Sequence, residues 1–224
     1  MSKYGVAVVI IAFLLYHSLY FEKLQKIKEQ QRRGTFSAAE YARDFWDNHL
    51  FTVLDKAVDV KELIALFNTN MAEAVRRYGR TPGVSRVYAY LLHGEGKILT
   101  AGEEGLEVSV RQPQMNPDIF IATGPYIPGN AVRDASGLID VSEFSDTMKF
   151  NEISGEINKI VVKEVIGPFL DKNPQMGMTV RFFGATQVAQ DATEKHPFGH
   201  LVSDTGEVRE IQLVRVVPIT LELK

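Results

Sequence analysis

Residues 5–21 (GVAVVIIAFLLYHSLYF) carry no formal charge, and this run limits what the chain can become more than any other feature. It is about as long as the shortest segment that crosses a bilayer core. Its Val, Ile, Leu and Phe residues are about ten in number and together favour insertion by ~3 to 6 kcal/mol. His17 and Ser18 oppose insertion, but they lie near one end beside Tyr16 and Tyr20, whose polar-tipped rings suit the headgroup boundary. Tyr, His, Phe and Glu follow, with no small-x-small cleavage site, so the run predicts an uncleaved transmembrane anchor rather than a signal peptide. Lys3 precedes it, whereas Lys23, Lys26, Lys28, Arg32 and Arg33 follow. The positive-inside rule taken alone places the following domain in the cytoplasm.

Residues 22–33 (EKLQKIKEQQRR) are good helix formers with only Leu24 and Ile27 apolar. A helix polar on most of its surface is solvated, so it predicts a stalk, ended by Gly34. The expected organisation is a transmembrane signal anchor within 1–21, a stalk over 22–34 and one globular domain over 35–224. Hydrophobic content of 45% and charged content of 24% suit a packed globule. A net charge of −3 offers no basic surface for phosphates, so no nucleic-acid partner is expected. The chain has no cysteine. That excludes disulfides, thiolate chemistry, cysteine-ligated zinc and a lipid-modified cysteine together, and leaves the apolar run to hold the protein at the membrane.

Ser37 with Glu40 reads as a capping box, followed by Tyr41, Phe45, Leu50, Val53, Leu54 and Ala57 at helical spacing. Asp59 with Glu62 starts a second helix through Leu63, Leu66 and Phe67, and Asn70 with Glu73 a third ending near Gly79. Short strands are expected at 88–92, 97–100, 106–110 and 119–122, with hairpin turns at Gly94-Glu95-Gly96 and over 102–105. A helix is expected over 151–165, then strands at 178–188, 208–217 and 219–223. The order helices, strands, helix, strands predicts an α+β domain with helices packed on a mostly antiparallel sheet. A small, closed, OB-like β-barrel fits, because closure hides the edges of many short strands.

Chemistry is sparse. In Gly129-Asn130-Ala131-Val132-Arg133-Asp134-Ala135-Ser136-Gly137, Arg133 can clamp a carboxylate or phosphate, oriented by Asp134 or Asp140. The structural alternative has Asn130 and the glycines making turns while Arg133 pairs with a carboxylate to lock the loop. Asp140 or Ser142 is expected to cap a short turn that holds Phe144 on the core. Asn130, Arg133, Asp134 and Asp140 are the candidate ligand-binding residues. His196 and His200 have metal-site spacing, but Pro197 and Gly199 between them remove the helix that gives it meaning, and the segment reads as a loop. His49 and His93 show no triad partner in sequence. No phosphate loop, dinucleotide fingerprint or nucleophile elbow is present, so no cofactor, metal or catalytic residue is expected.

The segments FSAAEYARDFWD (36–47), LDKAV (54–58), GEG (94–96), GNAVRDASGLID (129–140), FNEISGEIN (150–158) and VRFFGA (180–185) together resemble the bacterial family DUF2291. The resemblance implies an exported periplasmic lipoprotein or membrane-anchored protein of unknown function, often encoded beside ABC-type sugar uptake systems, with no established catalytic residues. An extracytoplasmic domain on a single-pass inner-membrane anchor is therefore expected, against the flanking charges. The expected role is a non-enzymatic binding or accessory domain, with components of a sugar ABC transporter as partners. The alternative is a hydrolase or transferase with a pocket around Arg133, Asp134 and Asp140.

Overall fold

The computed structural model describes residues 36–83, 85–111, 116–144, 146–189, 199–201 and 211–224. The expected anchor over 5–21 and stalk over 22–34 lie outside the described residues. Among the described residues no helix is long and apolar enough to cross a membrane. The chain divides into two compact units, Met1–Ser37 and Ala38–Lys224, and the described helices and strands belong to the second.

It opens with α1 (Ala38–Asp44), which continues through a π turn (Phe45–His49) and a 3-10 turn (Leu50–Lys56). A short strand β1 (Val58–Asp59) leads into α2 (Val60–Thr69) and α3 (Met71–Tyr78). Asp59 accepts a hydrogen bond from the Lys61 N–H at 2.7 Å, and Asn70 accepts one from Glu73 N–H at 3.1 Å. Each satisfies a backbone donor that a helix start leaves open. Val60, Leu63, Ile64 and Phe67 form one buried face of α2 at helical spacing.

Three strands follow: β2 (Val87–Ala101), β3 (Gly105–Ser109) and β4 (Ile119–Ala122). Next come α4 (Ala131–Ser136), α5 (Thr147–Ile160) with a π turn (Val161–Ile166), and α6 (Gly167–Leu170). The chain closes with β5 (Thr179–Ala189), β6 (Gly199–Leu201) and β7 (Ile211–Leu223). Antiparallel ladders join β2 to β3, β3 to β4, β7 to β5 and β5 to β2, while β4 runs parallel to β7. The pairing therefore returns to the strand it left, and the sheet is mixed but mainly antiparallel. Ile98, Val108, Ile121, Phe182 and Val216 are fully buried between these strands, with Phe67 of α2 edge-on to Tyr90 at 5.0 Å.

One turn expected from sequence is absent. Gly94-Glu95-Gly96 lies inside the continuous strand β2, which serves two neighbours: β5 along Val87 to Lys97, and β3 from Lys97 onward. Glycine is needed there for close approach rather than for reversal. A Cβ on Gly94 would stand 2.6 Å from Val60 Cγ1, and one on Gly96 would stand 2.5 Å from the Ser109 carbonyl oxygen. Gly96→Ala is accordingly expected to cost about 1–3 kcal/mol, seen as a lower urea midpoint with the slope unchanged.

Two further expectations change. His200 belongs to strand β6, paired with Leu213 of β7, while His196 lies outside the described residues. The two C-terminal strands are one, since β7 passes through Pro218 where the ladder with β5 slips at Phe183 and Gly184. A proline donates no ladder hydrogen bond and is tolerated where pairing is irregular.

Candidate functional site

The four residues singled out in sequence do not form one site. All six residues of α4 are buried, including Arg133 and Asp134. Arg133 Nε donates to Asp134 Oδ1 at 2.8 Å, and its Nη1 donates to the Phe150 carbonyl at 2.6 Å. The guanidinium lies 3.5 Å from the centroid of the Phe150 ring, and Asp134 Oδ2 accepts from Gln187 Nε2 at 3.1 Å. The pair thus knots α4 to α5 and to β5. Burial pushes the Asp134 carboxyl up and the Arg133 guanidinium down, while their mutual attraction pulls each back.

Asp140 is exposed and accepts from Ser142 N–H at 2.7 Å, a bond that holds its carboxyl below the usual range. It caps the 3-10 turn Val141–Glu143, which delivers Phe144 against Tyr41 and Phe150. Arg133, Asp134 and Asp140 line neither the cavity beside α5 nor the one between α1 and α5.

Asn130 does line a cavity, of about 430 Å³. One wall is the loop after β4, with Pro125, Tyr126 and Asn130. The other is α5, with Asn151, Gly155 and Val162. The loop rests on α5 because Asn158 Nδ2 donates to the carbonyls of Ile127 at 2.8 Å and Gly129 at 2.9 Å. Ile127 is buried beside that clamp, whereas Tyr126 is 74% exposed. Val162 sits in the π turn that ends α5, and such turns occur often at functional sites. Lys159 lies on the same wall and is paired with Glu156 at 2.7 Å.

A second cavity of about 240 Å³ lies between α1 and α5, bounded by Arg43, Glu156, Lys159 and Lys163. Arg43 is held there by the Glu164 carboxylate at 2.6 Å, which keeps that carboxyl below its usual range. His49 has a carboxylate 3.3 Å away in Asp44, a partner the sequence did not suggest, but both side chains are more than half exposed. Among the described residues no cluster of three His, Asp or Glu side chains is arranged to hold a metal ion.

Sequence reasoning missed Tyr126, Gly155 and Asn158. Gly155 was the one legible signal, a glycine inside an otherwise regular helical pattern.

The model of the family DUF2291, described as predicted periplasmic lipoprotein, matches residues 9–199, and the chain belongs to that family. Among solved structures, a crystal structure of an OB-fold protein from Thermotoga maritima superimposes with a TM-score of 0.67 at 26% identity. The match covers 84% of this chain and 99% of that one. No curated protein matches the chain.

Proposed function

We propose that this protein is an extracytoplasmic binding domain held at the inner membrane by the single apolar span at 5–21. In this reading it captures a ligand in the cavity between the loop after β4 and α5, and does not convert it. The family description supports the location, and the apolar run supplies a hold that needs no cysteine. The cavity carries the binding role: it has a pinned wall, an exposed tyrosine and amide side chains, the mixture of apolar surface and few polar groups that small-molecule sites use. The ring of strand pairings supports a small OB-type barrel, with α5 between its third and fourth strands. The resemblance drawn from sequence adds ABC-type sugar uptake as the system served, its solute-binding protein being the natural partner. The hydrolase alternative draws less support, because Arg133 and Asp134 are buried against each other while Asp140 is exposed.

Two measurements test this. A reporter active only in the periplasm, fused after Lys224, is expected to be active, and the full-length protein to need detergent for extraction. Activity only from a cytoplasmic reporter overturns the placement. Full-length protein titrated with uncharged monosaccharides and with the solute-binding protein is expected to bind one or both, every small molecule being recovered unchanged by mass spectrometry. Recovery of a converted product overturns the non-enzymatic reading.

A further inference from the structure

Gly155 is the residue of α5 that the fold itself does not explain. Glycine within a helix costs about 1 kcal/mol relative to alanine. It is repaid where a Cβ would collide or where φ must be positive. Neither holds at Gly155: no atom lies within 4 Å of the Cβ it lacks, and its φ is not in the left-handed range. The gap stands on the cavity wall. Facing it from the loop, Tyr126 is largely exposed, with no ring or hydrogen-bond partner among the described residues. A bare stretch of helix backbone on one wall and a free aromatic ring on the other make a slot.

The slot's chemistry is narrow. Lys159 is the one side chain on its walls that is charged at neutral pH, and Glu156 neutralises it at 2.7 Å. Its free polar groups are amides and the Ser154 hydroxyl, which is buried with no hydrogen-bond partner among the described residues. Asn130 makes no side-chain hydrogen bond to the α4 backbone it precedes, Asn151 has only a long 3.5 Å contact from Arg133, and Asn158 is spent on two loop carbonyls. An amide both donates and accepts, so it matches hydroxyls and other amides rather than a carboxylate or ammonium. A volume of about 430 Å³ is of small-molecule size.

We infer that the slot takes an uncharged, ring-shaped ligand with hydroxyl or amide edges. The ring lies against the α5 backbone at Gly155, Tyr126 covers its apolar face, and Asn130 and Asn151 bond its edge. This rests on the binding role proposed above and adds the ligand's charge and shape. A free monosaccharide and a nucleobase share that chemistry, and the test separates them.

The probes for the full-length protein in detergent are glucose, galactose, xylose and ribose, then glucuronate, galacturonate, glucosamine and galactosamine, and finally uracil, each followed by calorimetric titration. At least one uncharged probe is expected to bind, with its charged counterparts at least about tenfold weaker, a difference of about 1.4 kcal/mol. A sugar binding alone assigns a monosaccharide, and uracil binding alone assigns a base. Gly155→Ala is expected to lose at least about tenfold in affinity while its melting temperature stays level or rises. That pairing separates a slot residue from a structural one, since damage to the fold would lower both. Tyr126→Ala is expected to weaken binding with the melting temperature unchanged.

Equal or tighter binding of a charged probe overturns the inference and leaves a binding domain. So does full affinity in Gly155→Ala. A protein that binds the solute-binding protein but none of the probes also overturns it while sparing the proposed role, and failure of both titrations removes the two together.

Discussion

Arg133→Met is expected to destabilise the domain by about 3–5 kcal/mol, the cost of removing one partner from a buried ion pair. The side chain is 2% exposed and spends itself on Asp134, the Phe150 carbonyl and the Phe150 ring. Methionine restores part of the packing but leaves a carboxylate 8% exposed with only Gln187 to meet it. Urea unfolding followed by circular dichroism reads the loss directly. Changing both members, Arg133→Met with Asp134→Leu, is expected to recover much of it, because no unpaired charge is then left inside.

The loss depends on pH with a definite sign. Burial already raises the Asp134 carboxyl above its ordinary value, and removing the guanidinium raises it further. An acid whose folded-state pKa is raised holds its proton more tightly when folded. Its contribution to stability is complete below the ordinary aspartate range and drains away as pH rises towards the raised value. The deficit of Arg133→Met should therefore be smallest in acid and grow towards neutrality. A deficit that is flat across that window would mean that lost packing, rather than a stranded charge, sets the cost.

Local chemistry was legible in the sequence and distant pairing was not. Asp59, Asn70 and Asp140 were readable as caps because a cap and the N–H that donates to it lie within three residues. The Arg133 and Asp134 pairing was readable because they are adjacent. Their further partners, Phe150 and Gln187, lie 17 and 53 residues on and obey no local period. Gly94 and Gly96 misled for a related reason. A glycine that reverses the chain and one that lets Val60 or Ser109 come close look alike until the neighbour is known. The cavity is assembled the same way, by Asn158 reaching back 29 and 31 residues to loop carbonyls. Of the residues lining it, Asn130 alone was singled out in the sequence as a candidate.

Asp118→Ala should cost about 2–4 kcal/mol, by undoing the junction where β3 ends and β4 begins. One Asp118 oxygen accepts from the backbone N–H of Val110 at 2.8 Å and of Arg111 at 3.0 Å, while the other takes Arg111 Nε at 2.8 Å and Nη2 at 2.7 Å. The Asp118 backbone bonds to Val108 on one side and accepts from Val214 of β7 on the other. Truncation leaves two backbone donors without an acceptor, each worth about 1–3 kcal/mol when buried. Hydrogen exchange should accelerate most at Val110, Arg111 and Val214.

Arg111→Ala separates the two contributions to that cost. Arg111 is 36% exposed, so its ion pair is solvent-screened and should be worth only about 0–1 kcal/mol. Asp118→Asn, which keeps an oxygen for the two N–H groups, should fall between the two. If Arg111→Ala proved as damaging as Asp118→Ala, the ion pair rather than backbone capture would hold the strands together at this edge.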